Sequence, residues 1–278
     1  MLVNLNDILP KARKEGYAVG LFNTTDTDML EAAISAAEEM NSPIIIGTAE
    51  ILLPYGELSL IAPSVIAMAK SAKVPVVVHY DHGLTFERCK EALSLGFSSI
   101  MFDGSASDYE TNIKQTREMV EYAHSLGASV EGEIGHVGDA TIGDNLFTDR
   151  YTTVKEAKDF LEATGVDALA IAIGTAHGAY KFKPVLNIER LREIRDAIDF
   201  PLVLHGGSGL SDDDFKNTIS NGIAKVNIFT DLCIAGVNAT KEANKRGLDY
   251  LETRNLKVEY IKKAIKEKIK LFGSENKA

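Results

Sequence analysis

The chain predicts an α/β fold, a single (β/α)8 barrel. Short apolar, β-rich runs alternate with longer stretches of helical period; the runs number eight; and 278 residues shared among eight units give about 35 residues each, enough for one strand and one helix. The first run is AVGLFN, ending at Asn23, followed by PIIIGTA to Ala49, VPVVVHYD to Asp81 and SSIMFDG to Gly104. The second half repeats the pattern with SVEGEIG to Gly135, ALAIAIG to Gly174, PLVLHGG to Gly207 and AKVNIFT to Thr230. Between them lie amphipathic stretches such as TDMLEAAISAAEEM and DYETNIKQTREMVEYAHSL. Eight strands, each followed by a helix, favour a closed barrel over an open sheet. No Pro/Gly/Ser-rich linker divides the chain, so 1–278 reads as one domain, closed by a C-terminal helix from about Lys257 to Leu271. The least regular stretch, Gly135 to Thr152, is a long Gly-, Asp- and Thr-rich loop of the kind that carries function.

Composition narrows the function classes. With 45% hydrophobic and 25% charged residues the chain is globular and needs no staples, and its two cysteines, Cys89 and Cys233, lack CxxC spacing and read as core residues. The first residues lack the charged-then-apolar pattern of a signal peptide and no apolar run is long enough for a bilayer, so a cytoplasmic protein with no membrane partner is expected. A net charge of −10 disfavours nucleic acid, and the basic KKAIKEKIK alternates with apolar residues as an amphipathic helix does.

Four of the six histidines, His79, His82, His177 and His205, fall in or just after predicted strands three, six and seven; His136 follows strand five, and His124 sits on a helix. In a barrel the strand C-termini converge on one mouth, so His82, His177 and His205 face one point. Three imidazoles with a fourth position open describe a catalytic divalent metal site, most often zinc, and each of the three is followed by a glycine that lets backbone approach a ligand. Carboxylates gather on the same rim: Asp81 beside His82, Asp103 at the end of strand four, Glu133 near the end of strand five. Beside a cation they can serve as bases, as ligands or as orienters of the histidines. GGSG at 206–209 and NIFT at 227–230 end strands seven and eight before helices, the usual phosphate site of such a barrel, with Ser211 as the expected N-cap of the first helix.

VPVVVHYDHG, SSIMFDGS, VEGEIGHVG, GTAHG, LVLHGGSG and KVNIFT, in this order and spacing, resemble the class II, metal-dependent ketose-bisphosphate aldolases, the family of fructose- and tagatose-bisphosphate aldolases. The resemblance spans nearly the whole chain. It implies that His82, His177 and His205 bind zinc, that Asp81 is the catalytic acid/base, and that Asp103 and Glu133 serve a second or alternate metal position, a second divalent ion or a monovalent cation. It also implies that Gly178, Gly206, Gly207, Ser208, Asn227 and Thr230 hold dihydroxyacetone phosphate; Asn23, ending strand one, is a further candidate substrate contact. The implied reaction is reversible cleavage of a ketose 1,6-bisphosphate or ketose 1-phosphate to dihydroxyacetone phosphate and an aldehyde. In it zinc polarises the ketone and stabilises an enediolate while Asp81 takes the C4 hydroxyl proton. The implied assembly is a homodimer or homotetramer. The alternatives are another metal-dependent barrel enzyme on phosphosugars and a non-catalytic metabolite-binding barrel. Schiff-base chemistry lacks its lysine: strand six has none, and Lys225 begins strand eight, at the wrong end.

Three departures bear on substrate. The family's GGxED after strand five is replaced by GHVGDATIGDN, leaving Asp139 or Asp144 as candidate loop acids; the serine expected after strand two is Ala49, with Thr48 adjacent; and no Pro-Arg element occurs around Leu248 to Leu251. The last two imply weak or absent binding of an aldehyde-side phosphate, which shifts the expected substrate toward ketose 1-phosphates.

Overall fold

The computed structural model describes residues 1–135, 138–139, 151–178 and 184–278, with backbone alone at 138, 139 and 177. Among the described residues the barrel strands are, in chain order, β1 (Val19–Asn23), β2 (Ile44–Ala49), β3 (Val76–Gly83), β4 (Ser99–Phe102), β5 (Ser129–Ile134), β6 (Ala168–Ile171), β7 (Leu202–Leu204) and β8 (Ile223–Ile228). Each pairs in parallel with the next. Pairing of β8 with β1, from Lys225 opposite Val19 to Ile228 opposite Phe22, closes the ring and leaves the barrel without an edge. All eight strands overlap the runs read from sequence, with shifted ends. Strands six and seven stop at Ile171 and Leu204, short of the expected Gly174 and Gly207, and Gly174 (φ 109°) and Gly206 (φ 65°) have left the extended region. Strand three instead runs on past Asp81 to Gly83.

The helices are α1 (Leu5–Glu15), α2 (Thr27–Glu39), α3 (Leu58–Ser71), α4 (Phe86–Ser94), α5 (Tyr109–Ser125), α6 (Val154–Thr164), α7 (Ile188–Ala197), α8 (Asp212–Ser220), α9 (Thr230–Arg246) and α10 (Tyr250–Phe272). Helix α1 had no counterpart in the sequence reading. Asn4 caps it in a capping box with Asp7, and its buried Leu5, Ile8, Leu9 and Ala12 recur at helical spacing. That face forms one cluster with Val19, Leu21, Ile45, Val77, Ala168 and Val203 near the beginnings of the strands, so α1 plugs the end of the barrel where the strands start. A second cluster fills the space between the strands and the outer helices.

Helix α10 begins earlier than the expected Lys257, because Asp249 and Glu252 form a capping box. It buries Val258, Ile261, Ile265, Ile269 and Phe272 on one face, while Lys257 and Lys266 pair with Asp28 and Glu39 of α2 at 2.9 and 2.8 Å. The basic tract is thus one face of a packed helix. Cys89 is buried as expected; Cys233, on α9, is only half-buried.

Inside the barrel, residues two apart on a strand share a face. Val77, His79 and Asp81 on β3, Glu131 and Glu133 on β5, and Lys225 and Asn227 on β8 therefore form successive tiers above the apolar plug. All of these but Val77 are polar, and every one is buried. The plug carries the stability of that base: Leu9→Ala, removing a fully buried side chain, is expected to lower the unfolding free energy by about 2–5 kcal/mol in a urea titration, with no change in the slope.

Candidate active site

The site starts from an irregularity in β3. A regular strand turns adjacent side chains to opposite faces, yet the cavity at the strand ends is lined by both Asp81 and His82. The register of β3 against β4 shifts between Tyr80 and Gly83, and His82 takes a left-handed φ of 47°. This bulge turns both residues into the mouth. Gly83 permits it, since a Cβ there would lie 2.4 Å from Cys89 Sγ and 2.9 Å from the Met101 carbonyl oxygen.

Each imidazole is then aimed by a carboxylate. His82 Nδ1 lies 2.8 Å from Asp103 Oδ2, and Asp103 Oδ1 accepts from the hydroxyl and the backbone N–H of Ser105. His205 Nε2 lies 2.8 Å from Glu131 Oε1, below it in the barrel. The remaining nitrogens, His82 Nε2 and His205 Nδ1, face each other at 2.7 Å, with the rings edge to face. Burial alone would depress His82, but the carboxylates of Asp81, Asp103 and Glu133 outweigh it and raise its pKa to about 9; burial and the neighbouring His82 lower that of His205. Two ring nitrogens, each already oriented by a carboxylate on its own imidazole, thus converge at a distance that a shared proton or a divalent cation can bridge. The donor set fits such an ion. Ligand atoms of Asp81, His82 and His205 lie within 4.8 Å of one another, as do those of His82, Asp103 and Glu133.

Asp81 is held on both oxygens: Asn227 Nδ2 donates to Oδ1 at 3.0 Å and Asn23 Nδ2 donates to Oδ2 at 2.8 Å. Burial opposes its ionisation, yet the surrounding His82, Lys225, His205 and His79 hold the carboxyl below the ordinary range, so it is ionised. Below it, Lys225 Nζ reaches Asn227 Oδ1 at 2.7 Å and Glu131 Oε2 at 2.8 Å. Glu131 is kept ionised, its pKa lowered to about 2 because Lys225 and His205 overcome its burial. His79, bonded through Nδ1 to Ser99 Oγ at 2.8 Å, is lowered to about 3 by burial and by Lys225, and is neutral.

A cavity of about 460 Å³ opens above these groups. Its lining brings together Asn23, Asp81, His82, Asp103, Glu133, Gly178, Gly206, Gly207, Ser208, Asn227 and Thr230, nearly all of the residues singled out from sequence. His205 lies buried directly against His82 beneath it. Ser208 Oγ accepts from the Phe229 N–H at 3.2 Å, tying the two loops proposed for phosphate together. Helix α9 opens with no side-chain cap, whereas α8 is closed by the expected Ser211 in a capping box with Asp214, so α9 is the helix whose first amides suit an anion. The backbone of His177 pairs in a two-stranded ladder with Asp139; both side chains, and His136 and Asp144 entirely, lie outside the described residues. A Cβ on Gly206 would sit 2.2 Å from the carbonyl oxygen of Ala176, so only glycine lets the 205–207 segment lie against the residue preceding His177.

Sequence reasoning missed Glu131 and Lys225 as site residues. Both carried a signal, each standing two positions before a candidate on the same strand and hence on the same inward face. Lys225 lies in the first half of its strand, as expected, but its side chain runs inside the barrel up to Asn227.

Among the described residues no helix is long and apolar enough to cross a membrane. A family model described as fructose-bisphosphate aldolase class-II matches residues 3–277. YdjI of Escherichia coli strain K12, described as an uncharacterized protein, is 43% identical over 268 residues, 96% of each chain. The fructose-bisphosphate aldolase of Thermus caldophilus is 40% identical, with both chains covered in full. The X-ray crystal structure of the YdjI aldolase from E. coli K12 matches at a TM-score of 0.90, with 40% identity and full coverage of both chains. That of a putative fructose-1,6-biphosphate aldolase from Coccidioides immitis matches at 0.88, with 30% identity over 97% of this chain and 96% of the other. Likeness of this extent, from one end of the chain to the other, means that the chain belongs to the class II fructose-bisphosphate aldolase family and is a lyase.

Proposed function

We propose that this enzyme is a zinc-dependent aldolase, a single barrel domain over 1–278, that cleaves a ketose 1-phosphate reversibly to dihydroxyacetone phosphate and an unphosphorylated aldehyde. The observation that carries the reading is Asp81: an ionised carboxylate, fixed on both oxygens by amides, next to a pair of carboxylate-aimed imidazoles. In this reading His82, His177 and His205 hold the metal, and Asp103 and Glu133 flank it and serve a second or alternate cation position. The bound metal supplies Lewis-acid polarisation of the substrate ketone and takes up the negative charge that develops there. Asp81 receives the C4 hydroxyl proton as the C3–C4 bond breaks and returns it on condensation. Asn23 and Asn227 keep the carboxylate in one rotamer throughout, so the proton is exchanged at a fixed position.

Gly206, Gly207 and Ser208, with Thr230 at the uncapped start of α9 and Gly178, hold the phosphate of the triose half, and Asn227 borders it. The opposite wall supports an aldehyde half without phosphate. Ala49, Ile51, Leu52, Leu84 and Ala106 line it, and among the described residues no lysine or arginine lines the cavity. Thr48, beside Ala49, does not line it either, as strand alternation requires. Assembly as a homodimer or homotetramer belongs to the same reading.

Two experiments test it. Asp81→Ala is expected to lower kcat by about 10²–10⁴-fold while zinc content by elemental analysis stays near that of the parent; retained turnover would remove Asp81 from the chemistry. In coupled assays for dihydroxyacetone phosphate, kcat/KM on ketose 1-phosphates is expected to exceed that on fructose 1,6-bisphosphate and to vanish on chelation. Much higher efficiency on the bisphosphate would overturn the proposed substrate.

A further inference from the structure

The most unusual group in the barrel is one the proposed chemistry does not use. Lys225 is fully buried, and both of its polar neighbours belong to chains of hydrogen bonds that end at the site. An ammonium only donates. The atom of Asn227 that faces it at 2.7 Å must therefore be the amide oxygen, which leaves Nδ2 as the group directed at Asp81 Oδ1, 3.0 Å away. Glu131, paired with the same ammonium at 2.8 Å, is an ionised acceptor, so the His205 nitrogen 2.8 Å from its other oxygen must carry the proton. That leaves the lone pair of His205 on Nδ1, the atom directed at His82.

We propose that Lys225 is a positioning residue that sets the direction of both chains, fixing Asn227 as a donor to Asp81 and fixing His205 in the tautomer that offers Nδ1 to a metal. The proposal rests on the aldolase reading for the role of Asp81, but its metal limb stands on geometry alone. A single buried cation thereby ties the proton-transfer group to the ion-binding group through Asn227 on one side and Glu131 on the other. A neutral side chain of the same length would fill the space equally well. It would leave the Asn227 amide free to turn over and His205 free to place its proton on either nitrogen.

The test uses Lys225→Met, which strands the Glu131 carboxylate, and Lys225→Met/Glu131→Gln, which removes both charges and so spares the fold a buried lone ion. Folding is checked by thermal melting, zinc affinity by competition with a chromophoric chelator, and turnover on the ketose phosphate cleaved best by the parent. The folded double variant is expected to bind zinc about 10–100-fold more weakly and to lose kcat by a similar factor, with KM changed less than threefold. A folded variant with zinc affinity and kcat both within twofold of the parent would overturn the proposal and make Lys225 a packing residue. Histidine-selective nitrogen NMR on the unaltered, zinc-loaded protein gives a second readout that no folding defect can obscure. It is expected to find His205 protonated at Nε2, and protonation at Nδ1 would overturn the proposal. If the parent cleaves no ketose phosphate and zinc affinity still falls in the variant, the aldolase reading fails while the positioning of His205 stands.

Discussion

Two consecutive residues of one strand serve the same cavity, and the rest of the site is arranged around making that possible. The pleat sends Asp81 inward as the continuation of Val77 and His79, and would send His82 outward. The register shift before Gly83 and the left-handed φ of His82 reverse the second direction, and Asp103 holds the reoriented ring by Nδ1. Such a backbone conformation costs of order 1–3 kcal/mol and persists only where its surroundings over-determine it. Here they include a glycine with no room for a side chain, a carboxylate on one ring nitrogen and a second histidine on the other.

The barrel supplies what a smaller fold could not, a graded interior. Apolar residues at the plugged end exclude water, the tier of His79, Glu131 and Lys225 carries compensating charges, and the open tier presents Asp81, Glu133 and Asn227. Buried charges are tolerable only when paired and hydrogen-bonded, and once paired they orient strongly because little solvent screens them. The net charge of −10 belongs to the whole chain and does not decide the potential at the mouth, where Lys225 and the first amides of α9 act locally.

Much of this was legible in the sequence. Alternation of β-rich runs with helical stretches predicted the ring and its order, and clustering of His82, His205, Asp81 and Asp103 at strand ends predicted the mouth, because a barrel brings strand C-termini together whatever their distance in sequence. Less legible were the features that depend on three-dimensional fit. Helix α1 was overlooked because its few apolar residues stand among charged ones in the chain, and only the barrel bottom explains its burial. The ends of β6 and β7 were overestimated because glycines such as Gly174 and Gly206 can extend a strand or leave it. Lys225 was set aside because it lies toward the wrong end of its strand for Schiff-base chemistry, and its pairing with Glu131 on a distant strand becomes visible only in the closed barrel.

The proposed metal centre gathers imidazoles from the strand ends beside a fixed carboxylate. X-ray absorption at the zinc edge of the loaded protein tests it most directly, with His82→Ala and His205→Ala in parallel. The expected result is a zinc ion with imidazole nitrogens among its ligands and loss of that signal in both variants. Zinc bound without imidazole, or bound alike in the parent and both variants, would contradict it.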